Sequence, residues 1–229
     1  MSAPHRYRSI ADLPTVIPVF PLAGALLLPR TRLPLNIFEP RYLAMIDHAM
    51  DTYRLIGMVQ PRDANADMAG APALSDVGCV GRIVDYSELD NGHYQITLLG
   101  IARFALAGER NAGTPFRQVA ADYHPYADDI SRAADPPIAR DRLMQALKPY
   151  LKDRAMQTDW KSIEEAPSEA LVNALAILCP FEPKEKQALL EAPTLRERAE
   201  ALIALLEIAN AVSSPPRGGG SPRGGQPLH

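Results

Sequence analysis

Residues 18–42 read PVFPLAGALLLPRTRLPLNIFEPRY, a stretch in which short apolar runs alternate with proline and glycine. Three runs in and just before it have the length of short strands: Thr15 to Phe20, Ala25 to Leu28 and Leu33 to Phe38. Proline removes a ladder hydrogen bond, so the intervening prolines suit edge strands, bends and turns rather than regular central strands. The stretch therefore predicts three short, irregular strands at the start of a β-rich fold.

The strand pattern continues through the first half of the chain. Further apolar runs that predict strands are Arg54 to Gln60, Val77 to Glu88, His93 to Phe104 and Phe116 to Tyr126. Between two of these runs, Asp90-Asn91-Gly92 predicts a two-residue hairpin turn, because Asn and Gly tolerate positive φ. About seven strands within roughly 110 residues is the density typical of a barrel or a sandwich.

One helix interrupts these strands, and helices then dominate the second half. Between Arg41 and Met50 apolar residues recur at helical spacing, and Pro40 suits the first turn. Thr194 and Glu197 have the spacing of a capping box at the start of a later helix. Helical spacing in the second half recurs around residues 143–151, 169–179, 183–191 and 195–212. A β-rich half followed by an α-rich half predicts an α+β fold with a helical subdomain.

The chain is expected to have five segments. These are an N-terminal arm at residues 1–13, a β-rich subdomain at 14–126, a linker at 127–137, an α-helical subdomain at 138–212 and a disordered tail at 213–229. The linker is polar and ends in two prolines. The tail is rich in Gly, Pro and Ser and holds too few apolar side chains to bury a core.

Composition argues against several classes of protein. The formal net charge is -3, from 24 Lys+Arg against 27 Asp+Glu, so no excess positive charge attracts nucleic acid or an anionic membrane. Apolar stretches such as Ala170 to Cys179 fall short of the roughly 20 residues that span a bilayer. The N-terminus lacks the apolar segment of a secretory signal. We therefore expect a cytoplasmic protein with no nucleic-acid or membrane partner.

No residue pattern predicts catalysis or a bound cofactor. The sequence lacks a glycine-rich phosphate loop, a His-Glu-x-x-His or Cys-x-x-Cys metal pattern, and a Gly-x-Ser-x-Gly nucleophile elbow. Cys79 and Cys179 lie far apart in sequence, which favours buried thiols. We expect no catalytic residue, no metal site and no cofactor.

Several ordered motifs resemble the Lon N-terminal domain family, in particular its stand-alone bacterial members. They are residues 18–22, residues 34–42, the segment from Gly78 to Ile83, and the hairpin that leads from Asp90 to Phe104. The resemblance covers about residues 14–212. It implies a PUA-like β pseudo-barrel with one short helix, packed against a C-terminal α-helical bundle. It also implies a non-catalytic module that binds unfolded or extended polypeptides, as an adaptor or regulator of proteolysis with a protease or chaperone as a further partner.

Phe38, Glu39, Arg41 and Tyr42 are the aromatic and charged members of the motif at residues 34–42. One interpretation is structural: Glu39 and Arg41 form an ion pair or cap the short helix, while Phe38 and Tyr42 pack the barrel against it. The other is that all four residues border a groove for an extended peptide, beside a sheet edge that can accept a strand.

Two other functions stay open at this point. PUA-like folds also include RNA-binding proteins, although the acidic balance argues against that reading. A small hydrolase is the second alternative, because catalytic groups can meet in space without a motif in sequence.

Overall fold

The structure, a computed structural model, describes residues 7–63, 71–131, 137–156 and 158–213. Apart from Ser213, the predicted tail lies outside the described residues, as do residues 1–6 of the predicted arm and 132–136 of the predicted linker. Within the described ranges a sheet-rich N-terminal region precedes a helical region. This order confirms the predicted α+β class.

The strands of the described ranges form one sheet in the order β2-β5-β4-β3-β1-β6. β1 and β3 are parallel, and the other paired strands are antiparallel. β5 pairs first with β2 and then with β6, so β1, β3, β4, β5 and β6 form a closed circuit of pairings. β2 lies outside this circuit. The strands are β1 (Val16–Pro21), β2 (Arg32–Ile37), β3 (Leu55–Val59), β4 (Val77–Glu88), β5 (Tyr94–Arg110) and β6 (Gln118–Asp122).

The prediction of a strand at Ala25 to Leu28 was wrong, because this run forms an irregular loop. Leu26, Leu27 and Leu28 are all buried, as are all five residues of β3, so burial does not distinguish this loop from a strand. A Cβ atom at Gly100 would overlap the carbonyl oxygen of Leu28, so glycine lets the loop backbone lie directly against β5. The apolar run therefore packs into the core as a loop, without ladder pairing to a strand.

The predicted hairpin between β4 and β5 is confirmed, but its turn is longer than expected. The Leu89 N–H donates to the His93 carbonyl at 2.8 Å, which leaves three residues in the loop. Of these three, only Gly92 has positive φ. Asn91 instead accepts a hydrogen bond from the His93 N–H through its side chain, at 3.1 Å. A three-residue loop with glycine in the left-handed region is a common hairpin connection.

The predicted short helix is confirmed as α1 (Pro40–Asp51), which follows β2 almost directly. Pro40 begins the helix, at a position where a missing N–H breaks no intrahelical bond. Tyr42, Met45 and Ile46 are buried on its inner face. This helix therefore fixes the end of β2 against the core.

Five helices follow the sheet within the described ranges: α2 (Arg140–Asp153), α3 (Trp160–Glu165), α4 (Ser168–Leu178), α5 (Pro183–Glu191) and α6 (Leu195–Ser213). The predicted capping box precedes α6. The Thr194 hydroxyl accepts from the Glu197 N–H at 3.2 Å, and the Glu197 carboxylate accepts from the Thr194 N–H at 3.0 Å. Two backbone donors are thereby satisfied at the helix start.

One apolar core joins the sheet to the helices. Leu27 of the loop and Met45 of α1 lie in the same buried cluster as Leu147 of α2 and Leu202 of α6. A second cluster, which includes Phe104, draws residues from all five strands of the circuit. Shared burial therefore holds the sheet and the helices together.

Candidate functional site

The predicted site residues Phe38, Glu39, Arg41 and Tyr42 lie together where β2 meets α1. Phe38 follows β2 and is 60% exposed, with its ring centroid 5.9 Å from that of His93 in the β4–β5 hairpin. An exposed aromatic ring at the end of a strand is available to contact another chain.

Of the other three residues, Glu39 and Arg41 form a charged pair that lies over the buried ring of Tyr42. Arg41 donates to Oε2 of Glu39 from Nε at 3.0 Å and from Nη2 at 2.7 Å. Its guanidinium lies 4.7 Å from the centroid of the Tyr42 ring, which packs 4.3 Å from the ring of Phe20. Burial raises the pKa of the Tyr42 hydroxyl. Phe38 is therefore exposed, Glu39 and Arg41 are partly exposed and paired with each other, and Tyr42 packs beneath them in the core.

Among the described strands, β2 has a neighbour on one side only. The Gly100 N–H donates to the Thr31 carbonyl at 2.9 Å, and the register pairs Leu33 with Leu98. In an antiparallel ladder every second residue bonds to the partner, so the backbone groups at positions 32, 34 and 36 point away from β5. Pro34 falls in this outward set, where its missing N–H removes no bond to β5. This side of β2 is an unpaired sheet edge.

A groove of about 820 Å³ lies between the sheet and the helices. Ile177, Leu178 and Leu195 form apolar parts of its wall, and Leu178 is 70% exposed. Arg32, the first residue of β2, also lines the groove. β2 therefore leads from the groove to Phe38, a span of roughly 20 Å for six residues at strand rise.

An ion pair between Arg103 of β5 and Asp129, here called the clamp, joins the two regions at one side of the groove. Nε and Nη2 of Arg103 donate to the two carboxylate oxygens of Asp129, both at 2.9 Å. The remaining N–H groups donate to the carbonyls of Leu190, Ala192 and Pro193 at the end of α5. The clamp is buried and ties the sheet to the helices through one side chain.

Arg198 of α6 and Asn173 of α4, here called the floor, are buried side chains that line the same groove. Nε of Arg198 donates to the Leu189 carbonyl at 2.8 Å, and Nη1 donates to Oδ1 of Asn173 at 3.0 Å. Burial, and then the positive charge of Arg103, lower the pKa of Arg198 to about 10. The side chain therefore stays cationic at neutral pH.

Sequence reasoning had not singled out the residues of the clamp or the floor. Arg103 carried a signal, since it is a charged residue within the apolar run of β5. Asp129 falls in the segment predicted as a linker, and its polar neighbours gave no reason to expect burial. Asn173 and Arg198 lie on different helices and meet only in the folded chain.

Residues 16–207 match the family described as the ATP-dependent protease La (LON) substrate-binding domain. The chain belongs to this family. The match includes β2, the clamp and the floor, and it confirms the resemblance that the sequence motifs indicated. Several Lon proteases are also similar to this chain in sequence.

The Lon protease of Anaeromyxobacter dehalogenans is 27% identical over 207 residues, which are 85% of this chain and 23% of that protein. The Lon protease of Escherichia coli K12 is 26% identical over 198 residues, or 83% of this chain and 24% of that protein. The chain therefore spans about a quarter of the length of these relatives.

Two solved structures have a similar fold. A Lon N-terminal domain protein from Xanthomonas campestris has a TM-score of 0.59 and 22% identity, covering 83% of this chain and 98% of that one. The N-terminal domain of a Mycobacterium avium complex Lon protease has a TM-score of 0.56 and 14% identity, covering 83% and 97%. At these identities the likeness establishes the fold of the Lon N-terminal domain.

Other features of the described residues bear on chemistry. Cys79 and Cys179 are free and buried, and burial raises the pKa of both thiols. No described helix is long and apolar enough to cross a membrane. In the same part of the chain, no three His, Cys, Asp or Glu side chains are grouped as metal ligands.

Proposed function

We propose that this protein is a non-catalytic polypeptide-binding module that holds an extended segment along the free edge of β2. The observation that carries this proposal is the match of residues 16–207 to a substrate-binding domain family. The unpaired edge of β2 supports it, since an extended peptide can add a strand to an open sheet edge. Phe38, Glu39, Arg41 and Tyr42 would contact or support that segment at the far end of β2.

The finer parts of the proposal concern architecture and biological role. We infer a PUA-like pseudo-barrel in a β-rich subdomain at residues 14–126, before a helical subdomain at 138–212, and the closed circuit of strand pairings supports this inference. We infer that the module serves proteolysis as an adaptor or regulator, with a protease or chaperone as its partner. ATP and other cofactors have no part in binding.

The test is fluorescence anisotropy of a labelled, permanently unfolded polypeptide. We expect a dissociation constant in the micromolar range, since ordering a flexible segment costs several kcal/mol of the gross interaction energy. An unlabelled folded protein should compete poorly. No binding at about 100 μM, equal competition by the folded protein, or binding of single-stranded RNA instead of polypeptide would remove the proposal.

Two pairs of variants locate the binding surface. Asn36→Pro removes an outward N–H from the edge of β2 and should weaken binding several-fold, whereas Asn36→Ala keeps that N–H and should not. Phe38→Ala should also weaken binding. Tyr53→Ala, which removes another exposed ring (63% exposed) outside the proposed surface, is its control. If both variants of each pair change the dissociation constant equally, the polypeptide does not bind along β2.

A further inference from the structure

The charged side chains that line the groove do not all have counter-ions. Arg30 forms an ion pair with Glu169, and Arg103 pairs with Asp129 in the clamp. Arg32 pairs with Asp85 at 3.3 Å, with both side chains largely exposed. Arg198 has no carboxylate within ion-pair distance among the described residues. The floor therefore holds a buried cation without a contacting counter-ion, since the two carboxylates that act on it from a longer distance, Asp129 and Glu169, form ion pairs with Arg103 and Arg30.

Some hydrogen-bond donors of the floor have no partner among the described residues. Arginine has five N–H groups, and Arg198 uses Nε and Nη1 for the Leu189 carbonyl and for Asn173. Neither Nη2 of Arg198 nor Nδ2 of Asn173 has a hydrogen-bond partner in the described part of the chain. Both residues line the groove. Two such donors call for two acceptors, and a carboxylate carries two acceptor oxygens on one group.

The surroundings of the floor favour a carboxylate carried on a peptide. The apolar wall residues Ile177, Leu178 and Leu195 suit apolar side chains of a polypeptide. The groove lining holds four arginines and three carboxylates (Arg30, Arg32, Arg103, Arg198, Asp128, Asp129 and Glu169), an excess of one positive charge that suits a single carboxylate and not the several phosphates of a nucleic acid strand. Because Arg32 both lines the groove and begins β2, a segment on the β2 edge can continue into the groove.

We propose that the groove selects polypeptide segments that carry an acidic side chain, whose carboxylate binds Arg198 and Asn173 at the floor. This inference rests on the proposed function, because it specifies which segments the module binds. Apolar residues on either side of the acidic one contact the groove wall. The protein thereby prefers an acidic residue within an apolar sequence over a purely apolar sequence.

The test compares two labelled peptides that differ at one position. Both have blocked ends and an apolar, unstructured sequence, with Glu in one and Gln in the other at the central position. The Glu peptide should bind about tenfold more tightly, the order of effect expected for a charge-assisted hydrogen bond in a buried site. Equal dissociation constants for the two peptides would overturn the inference while leaving polypeptide binding intact, whereas no binding of either would remove both.

Variants of the floor assign the preference. Asn173→Asp is nearly isosteric and places a carboxylate beside Arg198, so it should abolish the preference for Glu without loss of folding. Arg198→Gln should also abolish the preference. If Arg198→Gln does not fold, Asn173→Asp alone is sufficient for the test. Arg142→Gln, which removes an exposed cation paired with Glu207, is the matched control and should keep the preference.

Two results with these reagents would contradict the assignment. A preference for Glu that survives in Asn173→Asp would show that the carboxylate binds elsewhere. A Gln peptide with a free C-terminal carboxylate that binds as tightly as the blocked Glu peptide would show that the floor selects a chain end rather than an acidic side chain.

Discussion

The clamp and the floor contain two arginines that are equally buried, each 4% exposed, yet they differ in how their donors are used. Arg103 directs all its N–H groups to Asp129 and to three backbone carbonyls. Arg198 has one carbonyl and one amide oxygen as partners and no carboxylate among the described residues. Burial alone therefore does not separate a structural arginine from one available to a ligand, whereas the inventory of its donors does.

The largest expected effect comes from breaking the clamp. Arg103→Met should lower the free energy of unfolding by about 3–5 kcal/mol, because it leaves the Asp129 carboxylate buried without a counter-charge. Urea denaturation followed by circular dichroism measures the change. The double variant Arg103→Met, Asp129→Leu should recover part of the loss, since no lone charge remains. A loss below about 1 kcal/mol in the single variant would mean that the clamp is not a structural tie.

The next largest effect should be a dependence of stability on pH. It should come from two buried thiols, one near the clamp and one near the floor. Cys79 pairs in register with Arg103, and Cys179 follows α4, the helix that carries Asn173. Burial raises the pKa of Cys79, and it raises that of Cys179 to about 11. Above an unfolded pKa of about 8.5 the unfolded chain loses protons that the folded chain retains, so stability should fall as pH rises.

Between about pH 8.5 and 10 the expected slope for each thiol increases from about 0.7 toward the limit of about 1.4 kcal/mol per pH unit. Urea denaturation across this window measures the slope. The Cys79→Ala, Cys179→Ala variant should be less stable at pH 7 because of the cavities, but it should lose this slope. A wild-type stability that stays constant across the window would show that the thiols ionise in the folded protein.

The smallest of these stability effects should come from the floor. Arg198→Gln should lower the free energy of unfolding by about 1–2 kcal/mol, because it removes two hydrogen bonds but also removes an uncompensated buried charge. The same urea experiment gives the value beside that of Arg103→Met. If the loss at Arg198 equals or exceeds the loss at Arg103, the distinction between clamp and floor fails.

Features that depend on neighbouring residues could be predicted from the sequence. The hairpin at Asp90-Asn91-Gly92, the helix that begins at Pro40 and the capping box at Thr194 each follow from the conformational preferences of a few adjacent residues. The Lon family motifs were visible for the same reason. They depend on the order and spacing of residues along one chain.

Features that depend on distant parts of the chain could not be predicted in this way. Ala25 to Leu28 has the composition of a strand, but it forms a loop whose backbone lies directly against β5. This close approach is possible because Gly100 has no side chain. Asp129 lies in a polar segment that predicts a linker, and only the fold brings it into contact with Arg103.

The sequence by itself determined the α+β order of the elements, the short helix after β2 and membership of the Lon substrate-binding domain family. Only the tertiary structure decided which side of β2 is unpaired. It also decided that all N–H groups of Arg103 are hydrogen-bonded in the clamp, whereas Arg198 at the floor keeps donors without a described partner. Local preferences act between adjacent residues. Burial, by contrast, and the counter-charge that a buried ion needs, are set by side chains that meet only when the sheet and the helices pack together.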